Sequence, residues 1–440
     1  MIKDKKLGLI SLGCDKNRVD SERILAVASK HFKITSNVSE AQIIVVNTCA
    51  FLESARKEAI DTVFEINSLR ETGNLEKIIV CGCLPQKFIN EIFSEFIEVD
   101  AFLGINDYDL LYDAIKLCYD GQRVNFVNKN ENLLEKNRIL TTPCHYYYLK
   151  IADGCNNRCT YCLIPSIRGK YRSQKIEDLI SEVKSLGEVN ELILVAQDVT
   201  RYGIDLYGEP KIVELLKELS KLDEVNSIRI LYAYPDMITS ELIEEIKRNE
   251  KIIKYLDIPL QHASNPVLKL MNRKGTYDNY LALVNKLKAE IPGISIRSTF
   301  IAGFPRETEE DFNTLVSFVK KAKFFNCGFF AYSREEGTPA YKLSGQIDEK
   351  VKNERVKKLY KVQRQISKNN LKTFVGKTIK VLCDGVDYEK QAFYGRAYFN
   401  APDIDGRVYI ESNECINQGE YYTVLITDSN DYDLFGKVIN

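Results

Sequence analysis

The sequence predicts an α/β protein in three parts: an N-terminal open parallel α/β sheet, a partial (β/α)6 TIM-like barrel, and a small antiparallel β-barrel at the C-terminus. Two patterns support this division. Up to about residue 370, short apolar runs alternate with amphipathic helical patterns, which is typical of parallel sheets. From residue 376 onward, β-rich runs are separated by turn dipeptides, which favours an antiparallel barrel. We expect domains over residues 1–125, 140–370 and 373–440.

The composition is that of a globular chain without a membrane anchor. Of the 440 residues, 45% are hydrophobic and 28% are charged, and the formal net charge of −1 gives no global attraction to nucleic acid. The N-terminal apolar run is too short for a signal peptide, and no stretch reaches membrane-spanning length. We therefore expect a cytoplasmic protein, whose twelve cysteines include metal ligands rather than disulfides.

The first part alternates strands with helices, which implies a parallel open sheet. Asp20 or Ser21 is the expected N-cap of the first helix. Strands are predicted over Leu7–Ser11, Ile43–Asn47 and Lys77–Val80, and helices over Ser21–His31, Glu53–Leu69, from about Pro85, and over Asn106–Tyr119.

Three cysteines of this first part, Cys14, Cys49 and Cys83, each come just after a predicted strand. Because the carboxyl ends of parallel strands meet at one edge of a sheet, we expect these thiols to meet and to hold a metal cluster. Each also precedes a helix, whose N-terminus favours thiolate over thiol. The alternative is that they are small buried hydrophobic residues. Cys81 shares a strand face with Cys83, so either can be the ligand, and we favour Cys83 because it lies further into the loop.

The barrel part continues the alternation, with an active site expected at the carboxyl ends of its strands. Its predicted strands are Tyr146–Ile151, Glu191–Ala196, Ser227–Ala233, Ile252–Ile258, Ser295–Ala302 and Phe325–Ala331, and its clearest helices are Ile176–Leu186, Ile212–Lys221 and Glu309–Lys323. Gln197 follows the second strand, Gln261 and His262 follow the fourth, and Arg297 lies within the fifth. Ordinary polarity of a barrel mouth is the alternative for each, and His262 is either an acid or base or a hydrogen-bonding wall residue.

The run Gly154–Cys162 places Cys155, Cys159 and Cys162 in a C-x3-C-x2-C pattern on a Gly- and Asn-rich loop. Three thiolates hold three irons of a 4Fe–4S cube and leave the fourth open to a substrate, whereas electron-carrying clusters and structural zinc sites usually take four protein ligands. The alternatives are a zinc loop or cysteines that only pack. The other cysteines, at 118, 144, 327, 383 and 415, lack partner spacing and are expected to pack.

The tail begins with a long charged helical pattern over residues 348–374. Its predicted strands are Thr378–Cys383, Ala392–Phe399, Arg407–Ile410 and Tyr421–Thr427, with turns at residues 384–385, 405–406 and 418–419. Residues 372–440 contain seven Lys and Arg against eleven Asp and Glu. Because phosphate binding normally rests on a basic surface, RNA contact is possible but not favoured, and an acidic barrel suits a basic partner.

Taken together, these motifs resemble the methylthiotransferases, a family of radical S-adenosylmethionine (SAM) enzymes with two clusters. The resemblance covers the whole chain and rests on the cysteine motifs at Ser11–Glu22, Asn47–Phe51, Gly82–Leu84 and Gly154–Cys162. The Leu-Gly-Cys-x-Lys-Asn form of the first motif, the lead-in Ile151–Asn156 and the tail segment Ala401–Gly406 are similar to the branch that modifies an aspartate of small-subunit ribosomal protein S twelve. The transfer-RNA branch typically has Gln and Met after the first cysteine.

The resemblance implies the cofactors and site residues. Two 4Fe–4S clusters are implied, each with three cysteine ligands: the cluster of Cys155, Cys159 and Cys162 cleaves SAM to a 5′-deoxyadenosyl radical, and the cluster of Cys14, Cys49 and Cys83 delivers sulfur. The product is a β-methylthioaspartyl residue, also called 3-methylthioaspartate. The tail resembles an OB-like TRAM domain. Residues near SAM or substrate are then Tyr161, Gln197, Gln261, Arg273 and Arg297.

The implied partners are ribosomal protein S twelve as substrate and an electron donor of the flavodoxin or ferredoxin type, with no membrane. No catalytic base is assigned. Two alternatives stay open: a transfer-RNA adenosine methylthiotransferase with the same chemistry, and a non-enzymatic iron–sulfur protein that carries electrons or binds RNA.

Overall fold

The structure is a computed structural model that describes residues 2–130, 137–412 and 414–439. The chain forms two compact units. The first unit combines residues 1–141 with two short later segments, 153–157 and 162–172. The second unit contains residues 142–152, 158–161 and 173–440. No helix within the described ranges is both long enough and apolar enough to cross a membrane.

The first unit is built on a six-stranded parallel sheet with strand order β2-β1-β3-β4-β5-β6. Its elements are β1 (Lys6–Ser11), α1 (Asp15–Ser29), β2 (Lys33–Ile34), β3 (Ile43–Thr48), α2 (Glu53–Asn67), α3 (Leu69–Thr72), β4 (Lys77–Gly82), α4 (Cys83–Glu95), β5 (Ala101–Leu103), α5 (Leu111–Tyr119) and β6 (Val124–Phe126). The central strand β3 is buried along its whole length. Its alternate residues enter two different cores. Ile44 and Val46 pack in one core, and Ile43 and Val45 pack in the other. Helices therefore cover both faces of the sheet, as parallel strands require.

The predicted open parallel sheet is confirmed, but the predicted start of its first helix was wrong. Helix α1 begins at Asp15, six residues before Ser21, and Cys14 occupies the N-cap position without a side-chain hydrogen bond. The polar side chains of Asn17, Asp20 and Glu22 are buried, so this turn lacks the apolar pattern that marks a helix. The three-residue strands β5 and β6 were missed because they are too short to show an alternation.

The second unit holds a six-stranded sheet in which every neighbouring pair is parallel, with order β7-β10-β11-β12-β13-β14. The chain from here to the long helix contains β7 (Tyr146–Lys150), β8 (Ala152–Asp153), α6 (Ile164–Ile167), β9 (Arg172–Ser173), α7 (Ile176–Leu186), β10 (Glu191–Val195), α8 (Ile204–Tyr207), α9 (Ile212–Ser220), β11 (Ile228–Ile230), α10 (Ser240–Arg248), β12 (Ile252–Asp257), α11 (Asn265–Leu270), α12 (Tyr277–Glu290), β13 (Ser295–Ala302), α13 (Glu309–Ala322), β14 (Asn326–Ala331) and α14 (Glu349–Lys372). All six predicted strands are present. Strand β11 is shorter than predicted, and Tyr232 just beyond it has a φ of 61°.

The tail is a closed five-stranded barrel with order β15-β16-β17-β19-β18. Its strands are β15 (Thr378–Asp387), β16 (Ala392–Arg396), β17 (Val408–Glu411), β18 (Tyr421–Ser429) and β19 (Leu434–Val438). The turn predicted at Asp384-Gly385 was wrong, because these residues lie inside β15 at a bulge opposite β16. Strand β19 was missed.

Buried ion pairs join this tail barrel to the strands of the larger sheet within the second unit. Arg396 of β16 bonds Glu191 of β10 at 2.6 Å and Asp384 at 2.7 Å. His145 lies just before β7, and its Nε2 is 2.8 Å from Asp384. Asp405 accepts a hydrogen bond from the Tyr255 hydroxyl at 2.8 Å. The pairs of Glu191 and His145 lie near the amino ends of β7 and β10, away from the strand ends at which a barrel active site is expected.

Candidate functional site

Three cysteines of the first unit follow three strands that are neighbours in its sheet. Cys14 caps α1 after β1, Cys49 follows β3, and Cys83 opens α4 after β4. Cys14 is exposed, Cys49 is half-buried and Cys83 is buried. The thiols are close enough that Cys14 and Cys49 both raise the pKa of Cys83. One edge of the sheet therefore carries three thiols within electrostatic range of one another.

Gly13 leaves room for Cys49 in this group. A Cβ atom at residue 13 would lie 2.7 Å from Cys49 Cβ and 3.4 Å from its Sγ, and the φ of Gly13 is +95°. A side chain at this position would therefore clash with the cysteine and also strain the backbone. The absence of a side chain lets the turn before Cys14 approach the turn that carries Cys49.

Asn17 connects the turns that carry the cysteines. Its Nδ2 donates to the carbonyl of Leu12 at 3.0 Å and to the carbonyl of Thr48 at 3.1 Å. Its own backbone carbonyl accepts a hydrogen bond from the Asn47 side chain at 2.9 Å. These hydrogen bonds fix the chain just before Cys14 and just before Cys49, so one asparagine ties together the turns that carry the two thiols.

Cys81 and Cys83 enter opposite sides of the sheet, although they are two residues apart. Cys81 packs in the core that contains Ile43 and Val45, and Cys83 packs in the other core. Gly82 between them has a φ of +93°, which breaks the strand alternation. Cys81 is thus directed away from the other two thiols and toward the carbonyl of Val46, 3.6 Å from its sulfur.

Burial opposes ionisation of these thiols. It raises the pKa of Cys83 to about 12 and also raises the pKa of Cys49. For these two cysteines, burial thus opposes the preference for thiolate that a helix N-terminus gives. The opposing positive charge is Arg168, whose Nη2 lies 3.4 Å from Cys83 Sγ. Metal binding requires deprotonated cysteines, so this guanidinium favours the form that a cluster needs.

The C-x3-C-x2-C loop is anchored at both ends by backbone hydrogen bonds. In the first unit, the Cys155 amide donates to the Gly169 carbonyl at 3.1 Å. In the second unit, the Thr160 amide donates to the Met271 carbonyl at 3.1 Å, and its carbonyl accepts from Ala340 at 2.9 Å. Cys155 and Cys159 are buried and Cys162 is half-buried.

Three residues at the mouth of the barrel have a left-handed backbone conformation. Tyr232 after β11, Gln261 after β12, and Asn272 all have positive φ, at 61°, 71° and 56°. Such conformations cost energy in residues other than glycine and cluster at functional sites. Gln261 is held in place because its amide donates to Thr299 and its carbonyl accepts from Ile301, both at 2.8 Å.

Arg273 is buried beside the aromatic residues of the mouth. Its guanidinium lies 4.2 Å above the ring of Tyr234, and its Nη2 donates to the Pro259 carbonyl at 2.6 Å. Burial lowers the pKa of Arg273, but Tyr161, Tyr234 and nearby groups including Cys159 outweigh this effect, so the pKa is raised. The guanidinium therefore stays charged beside Cys159. Tyr161 packs edge-on against Phe304, with ring centroids 6.5 Å apart.

The other predicted residues of the mouth, Gln197 and Arg297, differ in their contacts. Gln197 is half-buried, two residues beyond the end of β10. Arg297 Nη1 lies 3.2 Å from Asp257 and its Nε lies 3.4 Å from Asp405. This guanidinium therefore bonds carboxylates of the sheet and of the tail barrel.

His262 is a fully buried wall residue. Its Nδ1 accepts a hydrogen bond from the Ser264 amide at 2.9 Å, and its Nε2 lies 3.4 Å from Glu307. Glu307 in turn bonds the Gly303 amide at 2.8 Å and Arg355 at 2.8 Å. The surroundings of His262 favour the wall role over the acid or base role.

A groove of about 520 Å³ lies beside the mouth. It is formed by the segment after β11 and the start of α12, and its lining includes Arg201, Asp236, Lys274 and Tyr280. Tyr280 also belongs to the group of phenols around Arg273. The groove therefore offers both signs of charge next to the buried arginine.

Family models match three regions of the chain. Residues 149–319 match the Radical SAM superfamily, residues 6–104 match an uncharacterised protein family, UPF0004, and residues 375–439 match the TRAM domain.

Curated relatives match along nearly the whole chain. The "Ribosomal protein uS12 methylthiotransferase RimO" of Clostridium botulinum strain Okra is 46% identical over 439 residues, which cover 99% of this chain and 98% of the relative. The protein of the same name from Acetivibrio thermocellus is 47% identical over 448 residues, covering 99% of each chain. This chain belongs to the uS12 methylthiotransferase family. It is therefore an enzyme of the radical SAM class, and a transfer-RNA methylthiotransferase is not favoured.

Solved structures support the fold of this methylthiotransferase. The radical SAM methyltransferase TsrM from Kitasatospora setae has a TM-score of 0.56 at 13% identity, covering 77% of each chain. The radical SAM enzyme OxsB has a TM-score of 0.51 at 14% identity, covering 82% of this chain and 58% of that one. At these identities the likeness shows the architecture alone.

Membership of the radical SAM class brings with it a 4Fe–4S cluster and SAM. Within residues 2–130, 137–412 and 414–439, no three His, Cys, Asp or Glu side chains are gathered tightly enough to ligate a single metal ion. A cube distributes its ligands over separate irons, so it does not need that single-ion arrangement. The thiols of Cys155, Cys159 and Cys162 have the donor chemistry that such a cluster needs. The thiols of Cys14, Cys49 and Cys83, with the space left by Gly13 and the guanidinium at Cys83, would fit a cluster of the same kind.

Several residues of the site were not predicted. Arg168 and Asn17 contact Cys83, and Asp20 bonds Arg168. No sequence motif used in the prediction included Arg168. Asn17 and Asp20 lie in the first cysteine motif, so the motif was the available signal. Cys144 and Cys415 are exposed, so the expectation that they pack was wrong.

Proposed function

We propose that this chain converts an aspartate of ribosomal protein uS12 to 3-methylthioaspartate. The proposal rests on the 46% identity over 439 residues to a protein named as a uS12 methylthiotransferase. Two sets of three cysteines in one chain supply the ligands that the two halves of this reaction require. The acidic tail suits a basic ribosomal protein.

The first set, Cys14, Cys49 and Cys83, holds the cluster that delivers sulfur. Its support is the position of all three after neighbouring strands and the pairing of Cys83 with a buried arginine. We leave Cys81 out of this set because it packs in the other core of the sheet. These residues hold and orient the cluster, and the Asn17 hydrogen bonds keep the turns that carry the first two in place.

The second set, Cys155, Cys159 and Cys162, holds the cluster that binds SAM. When bound, this cluster and SAM supply a 5′-deoxyadenosyl radical, which can remove hydrogen from an unactivated carbon. Tyr161 and Arg273 are proposed to contact SAM, because Tyr161 directly precedes Cys162 and Arg273 is buried at the mouth, 4.2 Å from the ring of Tyr234. The rest of the proposed SAM-contacting set is Gln197, Gln261 and Arg297, of which Arg297 also bonds Asp257 and Asp405.

The three parts of the chain divide the work. Residues 1–125 carry the sulfur-delivering cluster, residues 140–370 carry the radical chemistry, and residues 373–440 recognise the substrate protein. An electron donor of the flavodoxin or ferredoxin type supplies the electron that starts each cycle. RNA contact is not needed for this assignment.

Mass spectrometry of uS12 tests the proposal. The anaerobically reconstituted enzyme is incubated with SAM, a sulfide source, dithionite and uS12, and the expected result is a methylthio mass gain on one aspartate. A uS12 with that aspartate replaced by asparagine is the substrate control, and Cys159→Ala is the enzyme control. The substrate assignment fails if 5′-deoxyadenosine forms but uS12 keeps its mass while transfer RNA from a deletion strain lacks its methylthio group.

A further inference from the structure

Arg168 is a buried arginine whose guanidinium contacts four side chains of the first unit. It is 3% exposed. One nitrogen, Nη1, donates to Asp20 at 2.8 Å and to Asp153 at 2.9 Å. The other, Nη2, donates to Asn17 at 2.6 Å and lies 3.4 Å from the sulfur of Cys83. Every terminal N–H direction of the side chain is thus committed to a partner.

These partners connect Arg168 to both sets of cysteines. Cys83 is a ligand of the proposed sulfur-delivering cluster, and Asn17 holds the turns before Cys14 and Cys49. Asp153 lies two residues before Cys155, the first cysteine of the second set.

The backbone next to Arg168 extends the same connection. The carbonyl of Gly169 accepts the amide of Cys155 at 3.1 Å, and the amide of Arg168 bonds the carbonyl of Ile164 at 2.8 Å in the short helix α6 that follows Cys162. One arginine therefore contacts a ligand of the first set and is tied by its backbone and by Asp153 to the loop of the second.

We propose that Arg168 is a positioning residue for the sulfur-delivering cluster. Its hydrogen bond to the Cys83 sulfur raises the reduction potential of that cluster, and its contacts fix Cys83 relative to the loop of Cys155. The inference rests on the proposed function, since it takes Cys83 as a cluster ligand. Hydrogen bonds to ligand sulfurs and local net charge are among the features that set cluster potentials. A reduced cluster carries one more negative charge, so a cation that donates to its ligand sulfur stabilises the reduced form.

The carboxylates of Asp20 and Asp153 orient the guanidinium toward Cys83. Asp20 and Asp153 take one terminal nitrogen, which leaves the other free to face Asn17 and Cys83. Planar, five-donor arginine can serve all four partners at once, whereas lysine has a single ammonium nitrogen and keeps only the charge. The two substitutions Arg168→Gln and Arg168→Lys therefore separate loss of charge from loss of geometry.

The test uses the full-length chain with Cys155, Cys159 and Cys162 changed to alanine, so that only the first cluster can form. Arg168→Gln and Arg168→Lys are made in this parent, and Arg172→Gln is the matched control, because Arg172 lies on the same segment and donates to the carbonyls of Arg168 and Lys170. Iron per chain, the electron paramagnetic resonance spectrum of the reduced cluster and its midpoint potential are measured after anaerobic reconstitution.

We expect Arg168→Gln to lower the ratio of reduced to oxidised cluster at a fixed potential about tenfold, which is about 59 mV for a one-electron couple. Arg168→Lys should lie between Arg168→Gln and the parent, and Arg172→Gln should match the parent. If circular dichroism shows that Arg168→Gln is unfolded, the midpoint potential of Arg168→Lys relative to the parent tests the inference. Variants that bind iron with the spectrum and potential of the parent overturn this inference alone, whereas a folded parent without iron overturns the ligand set of the proposed function.

Discussion

The guanidinium of Arg297, on strand β13, lies 3.4 Å from the carboxylate of Asp405 in the tail barrel. Both side chains are largely buried, and the Tyr255 hydroxyl donates to the same carboxylate. Burial raises the pKa of Asp405, although Arg297 opposes that shift. The cost of burying this tail carboxyl is thus partly offset by the partners that it meets on the strands of the larger sheet.

Asp405→Asn should weaken the association of the tail barrel with this sheet. The amide keeps the shape of the side chain but replaces one carboxylate oxygen with a donor, so one of the donors of Tyr255, Ala401 and Arg297 loses its acceptor. We expect the free energy of unfolding to fall by about 1–3 kcal/mol, the usual cost of a buried donor without a partner. Denaturant unfolding followed by circular dichroism measures this effect. The control is Asp403→Asn on the exposed part of the same segment, and equal stabilities of the two variants would contradict the role of Asp405.

Asp384 gives the stability of the tail a defined pH dependence. Burial raises the pKa of this carboxyl, but His145 and Arg396 outweigh burial and hold the pKa below its ordinary value. A depressed acid pKa stabilises the fold above the unfolded value of about 3.9 and loses that contribution as the pH falls toward the folded pKa. Asp384→Asn should therefore be less stable than the parent at pH 7, and the difference should narrow as the pH falls to about 3.

Urea unfolding of both proteins across this pH range measures the narrowing. Asp428→Asn, on an exposed part of strand β18, should stay close to the parent throughout. A gap between the parent and Asp384→Asn that does not change with pH would show that the ion pair is not the source of the difference.

Gly13→Ala should impair iron binding by the first cysteine set. The new Cβ would lie 2.7 Å from Cys49 Cβ, so this cysteine must move. Iron per chain after reconstitution should fall from about eight toward about four, as expected when one of two cubes is lost. Gly121→Ala is a matched control, because Gly121 also has a positive φ but a Cβ added there would meet nothing within 4 Å. Both variants carry the backbone cost of about 1–2 kcal/mol, and only Gly13→Ala should lose iron.

Cys83→Ala and Cys81→Ala should differ in the same iron measurement. Cys83 lies with Arg168 and the thiols of Cys14 and Cys49, whereas Cys81 lies in the opposite core. Cys81→Ala should keep about eight irons per chain and lose about 1 kcal/mol of stability from the small cavity. Loss of half the iron from Cys81→Ala would mean that the ligand has been misassigned.

Cys159→Ala should abolish cleavage of SAM while the first cluster still forms. The expected readout is about four irons per chain, without 5′-deoxyadenosine after incubation with SAM and dithionite. Cys327→Ala serves as a control cysteine variant in the same unit, and it should leave both measurements at the parent level. Continued cleavage by Cys159→Ala would refute the role given to this cysteine.

The alternating pattern of strands and helices was sufficient to predict both sheets, because fully buried strands such as Ile43–Thr48 and Glu191–Val195 carry a clear apolar signal. The start of helix α1 was missed because its buried face is polar. Strand β19, Leu434–Val438, was missed because only alternate residues are buried and Gly436 and Lys437 interrupt the run.

The site divides in the same way. The cysteines could be proposed from sequence because Cys155, Cys159 and Cys162 form a short spaced pattern and Cys14, Cys49 and Cys83 each follow a predicted strand. Arg168 was missed because its importance depends on Asp20, Asn17 and Cys83, which are 85 to 151 residues away in sequence. The choice between Cys81 and Cys83 needed the φ of Gly82, since a regular strand would have put both sulfurs on one face.

Gly82 therefore determines which side of the sheet the Cys83 sulfur enters. A Cβ at this residue would lie 2.3 Å from Asn47 Oδ1 and 2.8 Å from the Thr48 carbonyl, so no larger residue can take its place without displacing the adjoining strand. The smallest residue in the chain thereby directs two sulfurs, only two positions apart, into opposite cores. Moving the Cys83 sulfur to the side of the sheet that holds Cys81 would therefore require a change of backbone conformation at Gly82.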